Sequence, residues 1–291
     1  MTLTAFTGIF AAALTASMLY VILRLFPKYK VYNLYALTFN YITASLSSLL
    51  ASGDVSVINQ EQIQESILPA MIIGSLFISV FYAAALSTQL CGVTVTSVAG
   101  KMSMIIPISA AIWLFGDQLT VLKIVGIAIA LLAVYFSTPK NGGDVARSKF
   151  WFLPLIVFLG SGLVDTSVKM AQHYFIRAEN QQLFISMLFG SAAVIGIIFS
   201  VGNYYKNKIA LTKESILGGI ILGIVNYFSL YFLVKCLAVE GMESSLVFSI
   251  TNLLVVIISA LVAFLFFKEK TDARRVTGLA LAVLAIIILY F

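Results

Sequence analysis

Ten apolar runs take up most of this chain, at 2–23, 31–51, 67–90, 93–115, 120–137, 151–176, 181–202, 214–238, 243–267 and 272–291. Each is close to the roughly 20 residues a helix needs to cross a bilayer. In hydrocarbon a backbone N–H or C=O finds no water, so a run of this kind crosses as a helix. The breaks are polar or turn-forming: FPKYK at 26–30, SGDVSVINQEQIQES at 52–66, CG at 91–92, GD at 116–117, RAEN at 177–180, NYYKNK at 203–208, EGM at 240–242 and KEKT at 268–271. The chain is 61% hydrophobic and only 10% charged, with a mean hydropathy of +1.04, which excludes a soluble domain. The expected fold class is an all-α polytopic membrane protein of ten transmembrane helices. The first run has no charged leader and is too long for a signal peptide's apolar region, so it is expected to remain as a helix.

The fifth and tenth runs repeat one another. GIAIALLAVYF from Gly126 matches GLALAVLAIII from Gly278, and Ala128, Ala130 and Ala133 match Ala280, Ala282 and Ala285. Asp117 and Glu269 each precede those glycines by nine residues. The first and sixth runs align more weakly, Ala16 with Asp165 and Tyr20 with Lys169, and the fourth and ninth look related. The expected organisation is a five-helix repeat over 1–137, a Pro- and Gly-containing linker over 138–150, and a second repeat over 151–291. Five is odd, so the second repeat must enter the membrane in the opposite sense. That is an inverted 5+5 repeat, an architecture on which many transporters alternate around a midplane site.

In that topology thirteen of the 18 Lys and Arg residues fall on one side, two (Lys123 and Arg177) on the other, and three (Lys101, Lys169 and Lys235) within helices. Positive loops stay inside, so the basic side is expected in the cytoplasm, with both termini outside. The net charge of +6 therefore speaks to orientation. No basic run with interleaved aromatics suggests nucleic acid.

Polar residues inside apolar runs are the candidate site. Asp165, Lys169, His173 and Arg177 recur every four residues on one helix face. Lipid makes such a face expensive, so it is expected to look into protein or a water-filled cavity. It is either a relay or an ion pair that neutralises itself within one turn. Gly160, Ser161 and Gly162 thin the same helix for close approach. Lys101 lies two turns inside the fourth run and either meets an anionic substrate group, competes with a proton for Asp165, forms a structural bridge to Asp165 or snorkels. Pro107 sits deep in that run and favours a kink, which suits gating as well as a static bend. Asn226 and Asn252 read substrate polarity or bond neighbouring helices. Tyr82, Tyr231 and Gln89 have the same two roles. Lys235 is expected to snorkel at a helix end. Asp117 and Glu269 are expected to complement the N-termini of the helices that follow them. Cys91 and Cys236 fall at opposite membrane sides, so no disulfide is expected. One histidine and no ligand spacing leave no metal or other cofactor expected.

VTSVAGKMSMIIP with GDQL and a Gly-containing helix after it, and FKEKT before a second such helix, resemble the drug/metabolite transporter superfamily, closest to its EamA-type ten-helix members. The resemblance covers essentially the whole chain. It implies a transporter of small metabolites, amino acids, nucleotide-linked sugars or drugs, with a cavity lined by helices 1, 3, 4, 6, 8 and 9. The small multidrug members carry a glutamate in their first helix. Here AALTASMLYV has none, and Asp165 stands in the sixth run instead.

The expected function is a secondary transporter of a small organic solute, an amino acid or similar, in the direction of export, in the inner or plasma membrane as a monomer or homodimer. With no GxxxxGK[ST] run, energy would come from a proton gradient or exchange. The alternative is a non-transporting membrane partner or lipid-handling protein. An enzyme is not expected, since there is no HExxH and only one histidine.

Overall fold

The computed structural model describes residues 3–51, 60–115, 120–137, 150–174, 181–237, 244–269 and 272–290. Among these the chain forms eleven helical segments and no strand: α1 (Leu3–Leu25), α2 (Asn33–Ala51), α3 (Gln60–Leu90), α4 (Val93–Met102), α5 (Ile105–Phe115), α6 (Val121–Ser137), α7 (Phe152–Tyr174), α8 (Gln181–Asn207), α9 (Lys213–Leu237), α10 (Ser244–Phe267) and α11 (Ala273–Tyr290). Eight stretches are long and apolar enough to cross a membrane, one of them Val93–Ala110, which joins α4 to α5. Large apolar side chains lie on the outside, with Leu50 84% and Val121 and Phe266 each 76% exposed. A soluble protein could not leave so many uncovered, whereas a bilayer solvates them.

Two expected boundaries are corrected. Residues 60–66 belong to α3 and not to a connecting loop, so Pro69 is interior to a helix. α8 continues to Asn207, where NYYKN extends the apolar run as an exposed polar turn. Hydropathy falls at both places, but a helix that leaves the bilayer keeps its backbone bonds in water.

The chain divides into two compact units. The first comprises Met1–Arg24, Ala83–Gly162 and Phe228–Phe291. Here α6 packs on α11. Gly126, Ala130, Ala133 and Ser137 recur at i, i+4, i+7 and i+11, so one face of α6 is small, and it is buried. A Cβ on Gly126 would stand 2.6 Å from Leu289 Cγ, and one on Gly278 would stand 2.7 Å from the Ser137 nitrogen. Low numbers on one helix thus meet high numbers on the other, and the pair is antiparallel. α10 packs on α4 and α11. Ile9, Cys236 and Val247 form one buried cluster, and Cys91, Val95 and Leu153 another. The two cysteines are buried thiols in these separate clusters. Close approach at Gly162 is by a side chain, since its Cβ would stand 2.6 Å from Ile106 Cβ.

The second unit comprises Leu25–Tyr82 and Leu163–Tyr227. Its centre is α2 on α8. Gly74 of α3 lets the α8 backbone approach, with Ala192 N 2.9 Å from a Cβ placed there. Gly219 and Gly223 of α9, spaced GxxxG, admit the Ala36 and Asn40 carbonyls of α2. Hydroxyls then join the helices. Ser45 Oγ donates to Ser186 O at 3.0 Å and Ser186 Oγ to Ser45 O at 3.2 Å. Tyr41 is buried between Phe81 and Phe189, both rings centred 6.0 Å away.

The α6–α11 seam is testable by overpacking. Gly278→Leu should lower the melting temperature in detergent, by about 1–3 kcal/mol of stability. Gly202, which has nothing within 4 Å, is the control. Gly202→Ala should be neutral or gain up to about 1 kcal/mol. A Gly278→Leu protein as stable as wild type would disprove this packing.

Candidate functional site

The best-formed polar site within one unit is the break between α4 and α5. A proline ring clashes with the carbonyl four residues before it, and for Pro107 that residue is Ser103. α4 ends at Met102 and α5 begins at Ile105. The chain turns tightly between them, with Met104 N–H donating to Lys101 O at 3.4 Å and Ile106 N–H to Ser103 O at 2.9 Å. Ser103 Oγ donates to Gly100 O at 2.6 Å. The kink expected of Pro107 is therefore a complete interruption four residues earlier, inside a stretch apolar enough to span a membrane.

Three expected residues meet at this break. Pro107 causes it. Lys101 lies half-buried in the last turn of α4, where the carbonyl end of a helix favours a cation. Asn252 of α10 donates from Nδ2 to Met104 Sδ at 3.8 Å. A thioether is a weak acceptor, so most of the hydrogen-bonding capacity of this amide is left for something else. Thr251 Oγ1, beside it in sequence, is buried with no hydrogen bond among the described residues. Tyr20 was not expected. Its hydroxyl lies 2.8 Å from where a Cβ on Gly100 would be, so glycine makes room for a phenol next to Lys101. The signal for it was its alignment with Lys169 in the repeat. An ammonium, an amide, a phenol and a broken helix can together hold a small polar solute with an anionic group.

The remaining candidates are placed elsewhere. Tyr231 lies in the same unit, 39% exposed, edge-on to Phe228 with centroids 6.2 Å apart. Lys235 Nζ stands 5.8 Å above the Tyr231 ring, so this lysine is an exposed cation over an aromatic face. In the second unit Asp165 and Lys169 stand one turn apart on α7, both exposed, and Tyr82 of α3 is half-buried. Arg177 and the side chain of His173 lie outside the described residues. Asn226 Nδ2 donates to Asn40 Oδ1 at 3.2 Å, which is the helix-joining role. Asn40 is fully buried and its Nδ2 makes no hydrogen bond among the described residues. Gln89 also ties helices, through Nε2 to Leu23 O at 3.0 Å, while Arg24 Nη1 donates to the Thr88 and Gln89 carbonyls at the end of α3.

Glu269 corrects an expectation. It does not serve the helix that follows it. Its Oε1 accepts from Val93 N–H at 2.7 Å and its Oε2 from Thr94 Oγ1 at 3.2 Å, which caps α4. The cap position there is Gly92, with φ 115° and no side chain to offer, so the carboxylate comes from 176 residues away. Locally, Lys268 turns left-handed at φ 48° after α10, and Glu269 N–H returns to Ala263 O at 3.1 Å. Asp117 lies outside the described residues. No group of three His, Cys, Asp or Glu among the described residues is placed to hold a metal ion.

No protein-family profile matches the chain. It is 26% identical over 277 residues to an uncharacterized protein of Haemophilus influenzae, covering 93% of each. A protein of known crystal structure shares the fold with a TM-score of 0.58 at 14% identity, covering 97% of this chain and 96% of its own.

Removing the Glu269 carboxylate should uncap α4. Glu269→Ala leaves the Val93 N–H and Thr94 hydroxyl unpaired and should cost about 1–3 kcal/mol, read as a lower melting temperature. Glu269→Gln keeps one acceptor and should lose less. Equal melting temperatures for all three proteins would refute the cap.

Proposed function

We propose that this chain is an EamA-type member of the drug/metabolite transporter superfamily, moving a small organic solute outward by alternating access. Its ten transmembrane helices would form two inverted five-helix repeats, 1–137 and 151–291, joined by the linker 138–150. It would lie in the inner or plasma membrane with the basic loops in the cytoplasm.

The observation that carries this reading is the reciprocity of the α6–α11 seam. Gly126 meets Leu289, and Gly278 meets Ser137. Ser137 and Leu289 stand eleven residues after Gly126 and Gly278 respectively, so each contact is the repeat image of the other. Such mutual contacts are the signature of a two-fold relation. The pairing of α4 with α10 brings together the fourth and ninth runs in the same way. Two halves related so can exchange conformations, which is the physical basis of alternating access.

In this reading the solute binds at the α4–α5 break, its anionic group on Lys101 and its polar edge on Asn252. Asp165 and Lys169 act as a charge switch that couples movement to protons or to exchange. A membrane partner that moves no solute is the second reading. The exposure of Asp165 and Lys169 favours it, because charges that the chain leaves uncovered suit a second chain.

Proteoliposomes loaded with single amino acids and given a pH gradient test both. The expected result is gradient-driven flux of one or a few, lowered at least about tenfold in Lys101→Ala, the loss of a charge-assisted contact. Asp165→Asn should lose the dependence on the gradient at unchanged melting temperature. No flux of any solute, with a protein copurifying in fixed ratio, would favour the partner and overturn transport.

A further inference from the structure

A groove of about 530 Å³ runs between α10 and α11 in the first unit, apart from the helix break. Its walls are Ile257, Leu261 and Phe264 from α10 and Leu279, Ala280 and Val283 from α11. On α10 these recur at i, i+4 and i+7, so they form one stripe along the helix. Leu261 and Phe264 are 53% and 54% exposed, so the groove opens to the side of the protein and not only to its end. The α10 walls lie within the apolar span Ile250–Phe267, and what surrounds such a span is acyl chain.

One end of the groove is polar and is formed by Thr94, Glu269 and Arg275. This end lies just beyond Phe267, where the apolar span stops, so it is at headgroup level. The Glu269 carboxylate is engaged by the N-terminus of α4 on both oxygens, which offsets its charge. Arg275 is half-buried in the groove lining, and its guanidinium carries five N–H donors in a planar fork that suits a phosphate. Arg274 beside it points elsewhere, stacked 4.9 Å from the Tyr135 ring and bonded to Tyr135 O.

We propose that this groove binds an anionic phospholipid, with an acyl chain along Leu261, Phe264, Leu279 and Val283 and the phosphate on Arg275. The apolar walls fit a chain and exclude a water-soluble anion from most of the volume. The cation at the interfacial end selects headgroups with net negative charge. Nothing in this depends on transport, only on the helices lying in a bilayer.

The test is native mass spectrometry of the full-length protein from micelles holding equal phosphatidylglycerol and phosphatidylcholine, with the melting temperature followed in parallel. Wild type should retain one phosphatidylglycerol in preference to phosphatidylcholine, by about fivefold for a single interfacial arginine. Arg275→Gln should abolish the preference. Lys268→Gln, an exposed residue with the same charge change, should keep it. Ala280→Trp, at an exposed wall position, should fill the groove and lose the bound lipid. Equal retention of both lipids by wild type, a preference unchanged in Arg275→Gln, or lipid retained in Ala280→Trp would overturn the proposal. So would a melting-temperature rise as large with glycerol phosphate, which has no chain.

Discussion

Every peptide group in hydrocarbon must find its partner within the protein, because an unpaired one costs several kcal/mol. Helix interiors meet this demand by themselves. Helix ends and breaks do not, and the distinctive contacts of this chain gather there. The N-terminus of α4 begins at a glycine and takes its acceptors from Glu269. The carbonyls at the end of α3 find their donor in Arg24. At the α4–α5 break, Pro107 displaces a carbonyl and the chain closes the gap with shorter turns and the Ser103 hydroxyl. Each solution answers a helix end or break with a charged or polar side chain.

The helix faces obey a second constraint. Lipid is as apolar as leucine, so no hydrophobic gain drives helices together, and close approach of small residues must do it. Gly126 and Gly278 do this in one unit, and Gly74, Gly219 and Gly223 in the other. The serine pair Ser45 and Ser186 adds exchanged hydrogen bonds to a seam of the same kind. Large side chains are left for the outside, where Leu261 and Phe264 wall a groove and do not fill a core.

Much of this was legible beforehand. The apolar runs locate the helices, since length and hydropathy suffice when the solvent is lipid. The Gly126 and Gly278 stripes were visible as matched repeats, and Pro107 as a kink in the fourth run, which the structure turns into a break. What the runs could not locate was where a helix continues into water, as α3 does at residues 60–66. Hydropathy ends there and the hydrogen-bond ladder does not.

The chain by itself determined that it folds as apolar helices, and which faces of α6 and α11 are small. These follow from local composition and the 3.6-residue period. Only the tertiary structure decided which partner each polar group takes. Glu269 stands next to α11 in sequence and caps α4. Asn226 turns to Asn40 of α2, Asn252 to the helix break, and Tyr20 lies over Gly100. A polar side chain in an apolar helix is bound to find a partner, but the choice depends on which helices come close, and close approach is set by glycines far away in the chain.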